Sequence, residues 1–210
     1  MKIISHRGYW KKQKEKNSKK SFQRSFSLKF GTETDIRDSN SKLVISHDIP
    51  EGNKILFTEF LDNFIKYTNY SELPLALNIK SDGLAPTLSK TLIKYPEIDY
   101  FFFDMSIPDM KTYIDNQLPV FTRVSDVEIN PIWVDEVDGI WVDSFYDDWI
   151  DEKDIQVLLN YNKRICFVSP ELHSRDQLKL WKILKKFKDY KNLILCTDFP
   201  EMAYNYITKA

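Results

Sequence analysis

The strongest constraint on this chain is a recurring run: short, almost continuously apolar and β-rich, ending on a functional side chain and followed in most cases by a segment of helical period. Runs such as Tyr100-Phe-Phe-Phe103 leave no polar face, so they fit a sheet covered on both sides, which is the situation of a parallel sheet flanked by helices. Eight such strands are expected, at Lys2–His6, Thr32–Ile36, Leu75–Lys80, Tyr100–Asp104, Pro119–Arg123, Gly139–Asp143, Arg164–Ser169 and Leu193–Asp198. A doubly wound open sheet gives a similar alternation. The strand ends favour a (β/α)8 TIM barrel: His6, Glu33 with Asp35, Lys80, Asp104, Arg123, Asp143, Glu171 and Asp198 converge on one mouth in a barrel and scatter along an edge in an open sheet. At 210 residues, with no repeat or linker tract, a single domain over 1–210 is expected.

Between the strands, Phe22, Phe26 and Phe30 repeat every four residues behind Ser18, a candidate N-cap. Phe60, Leu61, Phe64, Ile65 and Tyr67 form a second stripe. Leu178, Trp181, Leu184 and Phe187 form a third, with Ser174-Arg-Asp-Gln177 reading as a capping box. Turn chemistry at Ser39-Asn40-Ser41 before the apolar run Leu43-Val-Ile45 predicts a small hairpin insertion after the second strand.

Composition narrows function by exclusion. Thirty Lys+Arg against 31 Asp+Glu give a net charge of −1, so there is no global attraction to nucleic acid or to an anionic membrane. No stretch approaches the length of a membrane span, and the first residues carry no signal-peptide pattern. Cys166 and Cys196 lie inside apolar runs and read as buried thiols of a reducing compartment, so a cytoplasmic protein is expected. The lysines at 11, 12, 14, 16, 19 and 20 read as a solvated face of the first loop, or as a device that steers a polyanion inward. Tyr9, Trp10, Phe145, Tyr146 and Trp149 follow strand ends and either rim the mouth or cover it.

Two of the three histidines stand in polar settings, Ser5-His6-Arg7-Gly8 and Ser46-His47-Asp48. Glu33 and Asp35 are two apart on a strand, so their carboxylates share one side and can chelate one hard cation, or else pair with Arg37 and Lys80. Asn78 and Lys80 have the same spacing. A carboxylate pair with a metal, two cations and two imidazoles is a toolkit for phosphoryl chemistry: charge is neutralised while protons move on and off the entering and leaving oxygens.

These residues resemble the glycerophosphodiester phosphodiesterase family in His6-Arg7-Gly8, in Asn17-Ser18, in Glu33-Thr-Asp35, in His47-Asp48, in Asn78-Ile79-Lys80, and in Thr197-Asp198-Phe-Pro200. The resemblance spans almost the whole chain. It implies a barrel that cleaves a small-molecule phosphodiester with a bound divalent cation, Mg²⁺ or Ca²⁺. Position by position, it makes His6 and His47 the acid and base pair, Glu33 and Asp35 metal ligands, and Arg7 and Lys80 phosphate-binding. Two positions depart from the pattern. Lys16 stands where the family has Glu, and Asn78 replaces a metal-binding Glu, an amide oxygen that ligates without charge. Asp104, ending the next strand, is expected to restore that charge. Two other readings remain at this point: a catalytically impaired barrel that binds a phosphorylated ligand, and a metal-dependent sugar isomerase or epimerase barrel.

Overall fold

The structure, a computed structural model, describes residues 1–68 and 72–208. Its elements follow in the order β1 (Lys2–His6), α1 (Lys19–Ser27), β2 (Gly31–Ser39), β3 (Lys42–Ile45), α2 (Phe57–Thr68), β4 (Leu75–Ile79), α3 (Ala85–Leu92), β5 (Tyr100–Phe103), α4 (Ile107–Asp115), β6 (Phe121–Val124), β7 (Gly139–Val142), α5 (Glu152–Leu159), β8 (Arg164–Val168), α6 (Leu178–Lys185), β9 (Leu193–Thr197) and α7 (Pro200–Thr208). The sheet runs β5-β4-β2-β1-β9-β8-β7-β6 with every neighbour parallel, and β3 pairs antiparallel to β2. A bridge between Phe102 and Val120 joins its two ends, with the Phe102 amide donating to the Pro119 carbonyl at 2.8 Å. The result is one domain with eight parallel strands in a nearly closed (β/α)8 barrel. Between β6 and β7 the chain makes turns in place of a helix.

Alternation along the strands creates two environments. One set of side chains fills the lumen: Ile4, Ala76, Phe101, Phe103, Phe121, Trp141, Cys166, Val168, Ile194 and Cys196. Phe101 stacks on Phe121 at 3.7 Å between ring centroids, and Phe103 stacks on Trp141 at 3.8 Å. Gly139 makes room for this filling, because a Cβ there would lie 2.4 Å from the Phe121 ring. Arg164 closes the far end, its guanidinium over Phe101 and paired with Asp99 at 2.8 Å. The opposite faces of the strands pack against the helices. Burial lifts the thiols of Cys166 and Cys196 well above their ordinary range, so both are inert packing residues.

Ser18 caps α1 as expected, accepting from the Ser21 amide, while the Ser21 side chain closes a capping box. Phe22 and Phe26 pack on Phe60 and Phe64 of α2, each ring contributing about 2–3 kcal/mol by burial alone. Phe30 is not on the helix, because Lys29 turns left-handed at φ 63 and ends it. The ring packs instead against Tyr9 and Tyr204. A second expectation also needs correction. Ser174 does not open a helix: it closes the short 3-10 turn Pro170–His173 in a left-handed conformation (φ 61), and α6 begins after Gln177, which makes no side-chain cap. Leu178 then faces out, whereas Trp181 and Leu184 are buried. The hairpin is present, with Asn40 (φ 48) and Ser41 (φ 60) as the two left-handed corners that a tight β-turn between twisted strands requires.

Candidate active site

β1 ends on His6, and its register sets His6 opposite Glu33 of β2, while Asp35 of β2 lies opposite Asn78 of β4. Inward side chains at the ends of three adjacent strands therefore meet at the mouth. After His6 the chain turns sharply through left-handed Arg7 (φ 56) and Gly8 (φ 80). Only glycine fits the second position, since a Cβ there would lie 2.5 Å from the Ser21 hydroxyl. The turn aims the Arg7 amide at Glu33 Oε2, 3.0 Å away, and lays the guanidinium across Asp35.

Asp35 is 0% exposed, and three side chains compensate its charge. Arg7 Nε stands 3.0 Å from Oδ2, Lys80 Nζ 3.5 Å from Oδ1, and Asn17 Nδ2 donates to Oδ2 at 2.8 Å. Arg37, expected as a partner, instead donates to the His47 carbonyl at 3.0 Å. The two cations pair with Asp35 ionically but are poorly aligned for hydrogen bonding, so Oδ1 has no hydrogen-bond partner. Burial, and then the neighbouring Asp35 charge, push Glu33 up to about 8, opposed by Arg7 and Lys80. Burial pulls the His6 imidazole below its ordinary value, opposed by Asp198, whose Oδ1 lies 2.8 Å from His6 Nδ1. His6 Nε2 is 3.9 Å from Glu33 Oε2.

His47 follows β3 and is exposed, with Nδ1 2.9 Å from Asp48 Oδ1. It shares with Arg7 a groove of about 630 Å³ beside the mouth. Asn78 Oδ1 is buried without a partner, and Asn78 Nδ2 donates to Asp104 Oδ2 at 3.3 Å. Asp104 Oδ1 pairs with Arg123 at 2.8 Å, so its charge is already balanced by a guanidinium. Two buried oxygens without hydrogen bonds, Asp35 Oδ1 and Asn78 Oδ1, next to Glu33 suit a hard cation by donor type. With Glu33 they make a donor set of two carboxylates and one amide. Among the described residues no group of three or more His, Cys, Asp and Glu side chains is disposed to hold a metal ion.

Several roles at the mouth rest on contacts that no sequence motif announces. Asp198, expected at the mouth without an assigned role, orients His6 from 192 residues away, and Glu171 holds that loop by accepting from the Asp198 amide at 3.0 Å and from the Thr197 hydroxyl. Asn17 stood in a recognised motif, yet only the structure shows its amide on Asp35 and its Oδ1 accepting from Thr34. The third histidine, His173, lies 2.8 Å from Asp143 and edge-on to Phe145 across the mouth. Among the aromatic residues, Tyr9 is buried on Phe30 and bonds Glu201, so it packs instead of rimming the opening.

Fold and mouth together define a (β/α)8 barrel with an acidic, cationic and imidazole cluster at the C-terminal ends of its strands. Solved structures with this fold include a glycerophosphodiester phosphodiesterase from Agrobacterium tumefaciens, at 13% identity and TM-score 0.64 over 99% of each chain. A glycerophosphoryl diester phosphodiesterase from Parabacteroides distasonis matches at 14% identity and TM-score 0.68, over 99% of this chain and 86% of that one. A Ca²⁺-dependent phosphatidylinositol-specific phospholipase C from Streptomyces antibioticus matches at 10% identity and TM-score 0.55, over 100% of this chain and 96% of that one. No protein-family model and no curated protein matches the sequence. Among the described residues, no helix is long and apolar enough to cross a membrane.

Proposed function

We propose that the chain is a phosphodiesterase of the glycerophosphodiester type, acting on a small-molecule phosphodiester with one divalent cation, Mg²⁺ or Ca²⁺. The observation that carries this reading is the meeting of His6, Glu33, Asp35, Arg7 and Lys80 at one mouth, with His47 on the groove that Arg7 also lines. Glu33, Asp35 and Asn78 would hold the cation, with Asp104 behind Asn78. When bound, the cation supplies positive charge to a phosphate oxygen. Arg7 and Lys80 neutralise the remaining charge, a contribution commonly of a few kcal/mol per well-placed group.

Asp198 fixes the tautomer of His6. With an ionised carboxylate on Nδ1, that nitrogen carries the proton and Nε2 presents its lone pair to the mouth, which makes His6 the base. It takes the proton from the attacking water or neighbouring hydroxyl as the new P–O bond forms. His47 then gives a proton to the departing alkoxide as the old bond breaks. Asn78 is the feature that favours the second reading, a barrel that binds a phosphorylated ligand without turnover. An isomerase would leave Arg7 and Lys80 with only the Asp35 charge to compensate.

Hydrolysis of a chromogenic phosphodiester with Mg²⁺, with Ca²⁺ and with chelator tests the reading. Turnover that needs a divalent cation and falls at least about a hundredfold in His6→Ala and in His47→Ala is expected. Retained binding of the diester with no turnover under any metal selects the impaired barrel and overturns the enzyme.

A further inference from the structure

The groove beside the mouth carries more positive charge than one phosphodiester needs. Besides Arg7 and His47 it is lined by Lys14, Lys16, Lys19 and Lys54, and Asp48 is the single carboxylate among its lining residues. This is local, because the chain as a whole has a net charge of −1. Some of the cations are occupied. Arg7 pairs with Asp35 at 3.0 Å, Lys19 with Glu59 at 2.9 Å, and Lys16 stands 4.7 Å over the Trp10 ring. His47 holds the Asp48 carboxylate. Lys14 and Lys54 have neither an ion pair nor a hydrogen bond among the described residues, and both are exposed. They approach the groove from different segments of the chain, one from the loop after β1 and the other from the loop after β3.

The geometry points to a second anion subsite: the substrate carries another phosphate on the arm that lies in this groove, held by Lys14 and Lys54 while the scissile phosphate sits at Arg7. The inference rests on the phosphodiesterase reading and narrows its substrate class to phosphodiesters with more than one phosphate. A diester monoanion is matched by the groups at the mouth alone. Two unpaired ammonium groups in a groove continuous with those groups concentrate a further anion there, and exposed charges of this kind act within a Debye length of about 10 Å at 0.1 M salt. The second phosphate is either a terminal monoester or the next diester of an oligomer, and the lysines recognise both.

The test compares kcat/KM of the full chain on three compounds: a monoanionic glycerophosphodiester, the same compound with a phosphate monoester on its distal hydroxyl, and a two-diester oligomer of the same alcohol. Either or both of the last two are expected to be preferred by on the order of tenfold, mainly through KM, with the preference lost toward 1 M salt. The one preferred identifies the source of the second phosphate. In Lys14→Ala/Lys54→Ala the selectivity falls close to one. In Lys94→Ala/Lys191→Ala, which removes equal charge from exposed loops before β5 and β9, it persists. Equal kcat/KM on all three compounds, or a preference that survives loss of Lys14 and Lys54, overturns the inference while leaving the phosphodiesterase reading standing. If no compound turns over, that reading fails and calorimetric binding of the same three compounds decides the subsite. Tighter binding of a second-phosphate compound, dependent on Lys14 and Lys54, supports it, and equal affinities overturn it.

Discussion

Removing the Arg7 guanidinium exposes how the mouth is held together. Asp35 is fully buried, and its nearest cation is Arg7 Nε at 3.0 Å, with Lys80 farther away at 3.5 Å. Coulomb attraction at the shorter distance is about 5–6 kcal/mol for an effective dielectric near 20. Desolvation of both groups consumes much of that, and the poor alignment of the contact removes the bonus of a directed hydrogen bond. Arg7→Met is therefore expected to destabilise the fold by about 3 kcal/mol, the low end of what breaking a buried pair costs. In Asp35→Asn the Arg7 side chain is only partly buried and recovers solvation, so that cost is smaller. The double variant Arg7→Met/Asp35→Asn should be less destabilised than the sum of the single variants, leaving a coupling of about 2 kcal/mol. Urea unfolding of the four proteins with linear extrapolation measures it, provided the m-values agree. A coupling below about 0.5 kcal/mol would refute the claim that this ion pair stabilises the mouth. Repeating the cycle with saturating Mg²⁺ or Ca²⁺ tests the proposed cation site, because a cation held at Asp35 would take over part of Arg7's role and shrink the coupling.

Other consequences follow from single residues. Gly139→Ala would drive a methyl to within 2.4 Å of the Phe121 ring, so a loss of about 2–3 kcal/mol and a fall in Tm of roughly 5–10 °C are expected, partly relieved by Phe121→Leu; an unchanged Tm would refute this account of the lumen. Asp198→Asn should lower kcat by on the order of a hundredfold with KM nearly constant, since it disturbs the His6 tautomer and not substrate binding; equal kcat would show that the contact does not position the base. For Asp126, burial raises the carboxyl, but bonds from the amides of Phe145, Tyr146 and Asp147 outweigh it and hold the folded pKa below the ordinary value. Its contribution to stability is thus present above about pH 4 and is lost as pH falls through the folded value, so Asp126→Asn should flatten the acid limb of the stability profile in urea titrations between pH 5 and pH 2. An acid limb of unchanged slope would remove Asp126 from that role.

The barrel was legible because its strands are buried on both faces, and that leaves an unbroken apolar signature no loop would carry. Glu33 and Asp35 were placed on one side by the two-residue period alone, and the structure puts both at the mouth. Local cues fared less evenly. Ser18 and the Ser39–Ser41 turn behave as their side chains dictate, whereas Ser174 has the letters of a capping box and ends a 3-10 turn, because the preceding Ser169-Pro170 segment had already committed the backbone. The periodic stripe through Phe30 failed for a similar reason. A left-handed Lys29 cut the helix, and no side-chain pattern announces that reversal.

Amino-acid order alone determined the alternation of strands and helices, the faces that could be buried, and which polar groups end each strand, since these depend on periods of two and 3.6 within a few residues. Tertiary structure alone decided the partnerships: Asp198 on His6, Asn17, Arg7 and Lys80 around Asp35, Asp104 on Arg123, and a lysine-lined groove open beside them. His6 and Asp198, 192 positions apart, meet because β9 pairs directly with β1, and Asp104 reaches Arg123 across the β5–β6 seam where the sheet closes; strand order and closure are settled by the packing of the whole chain.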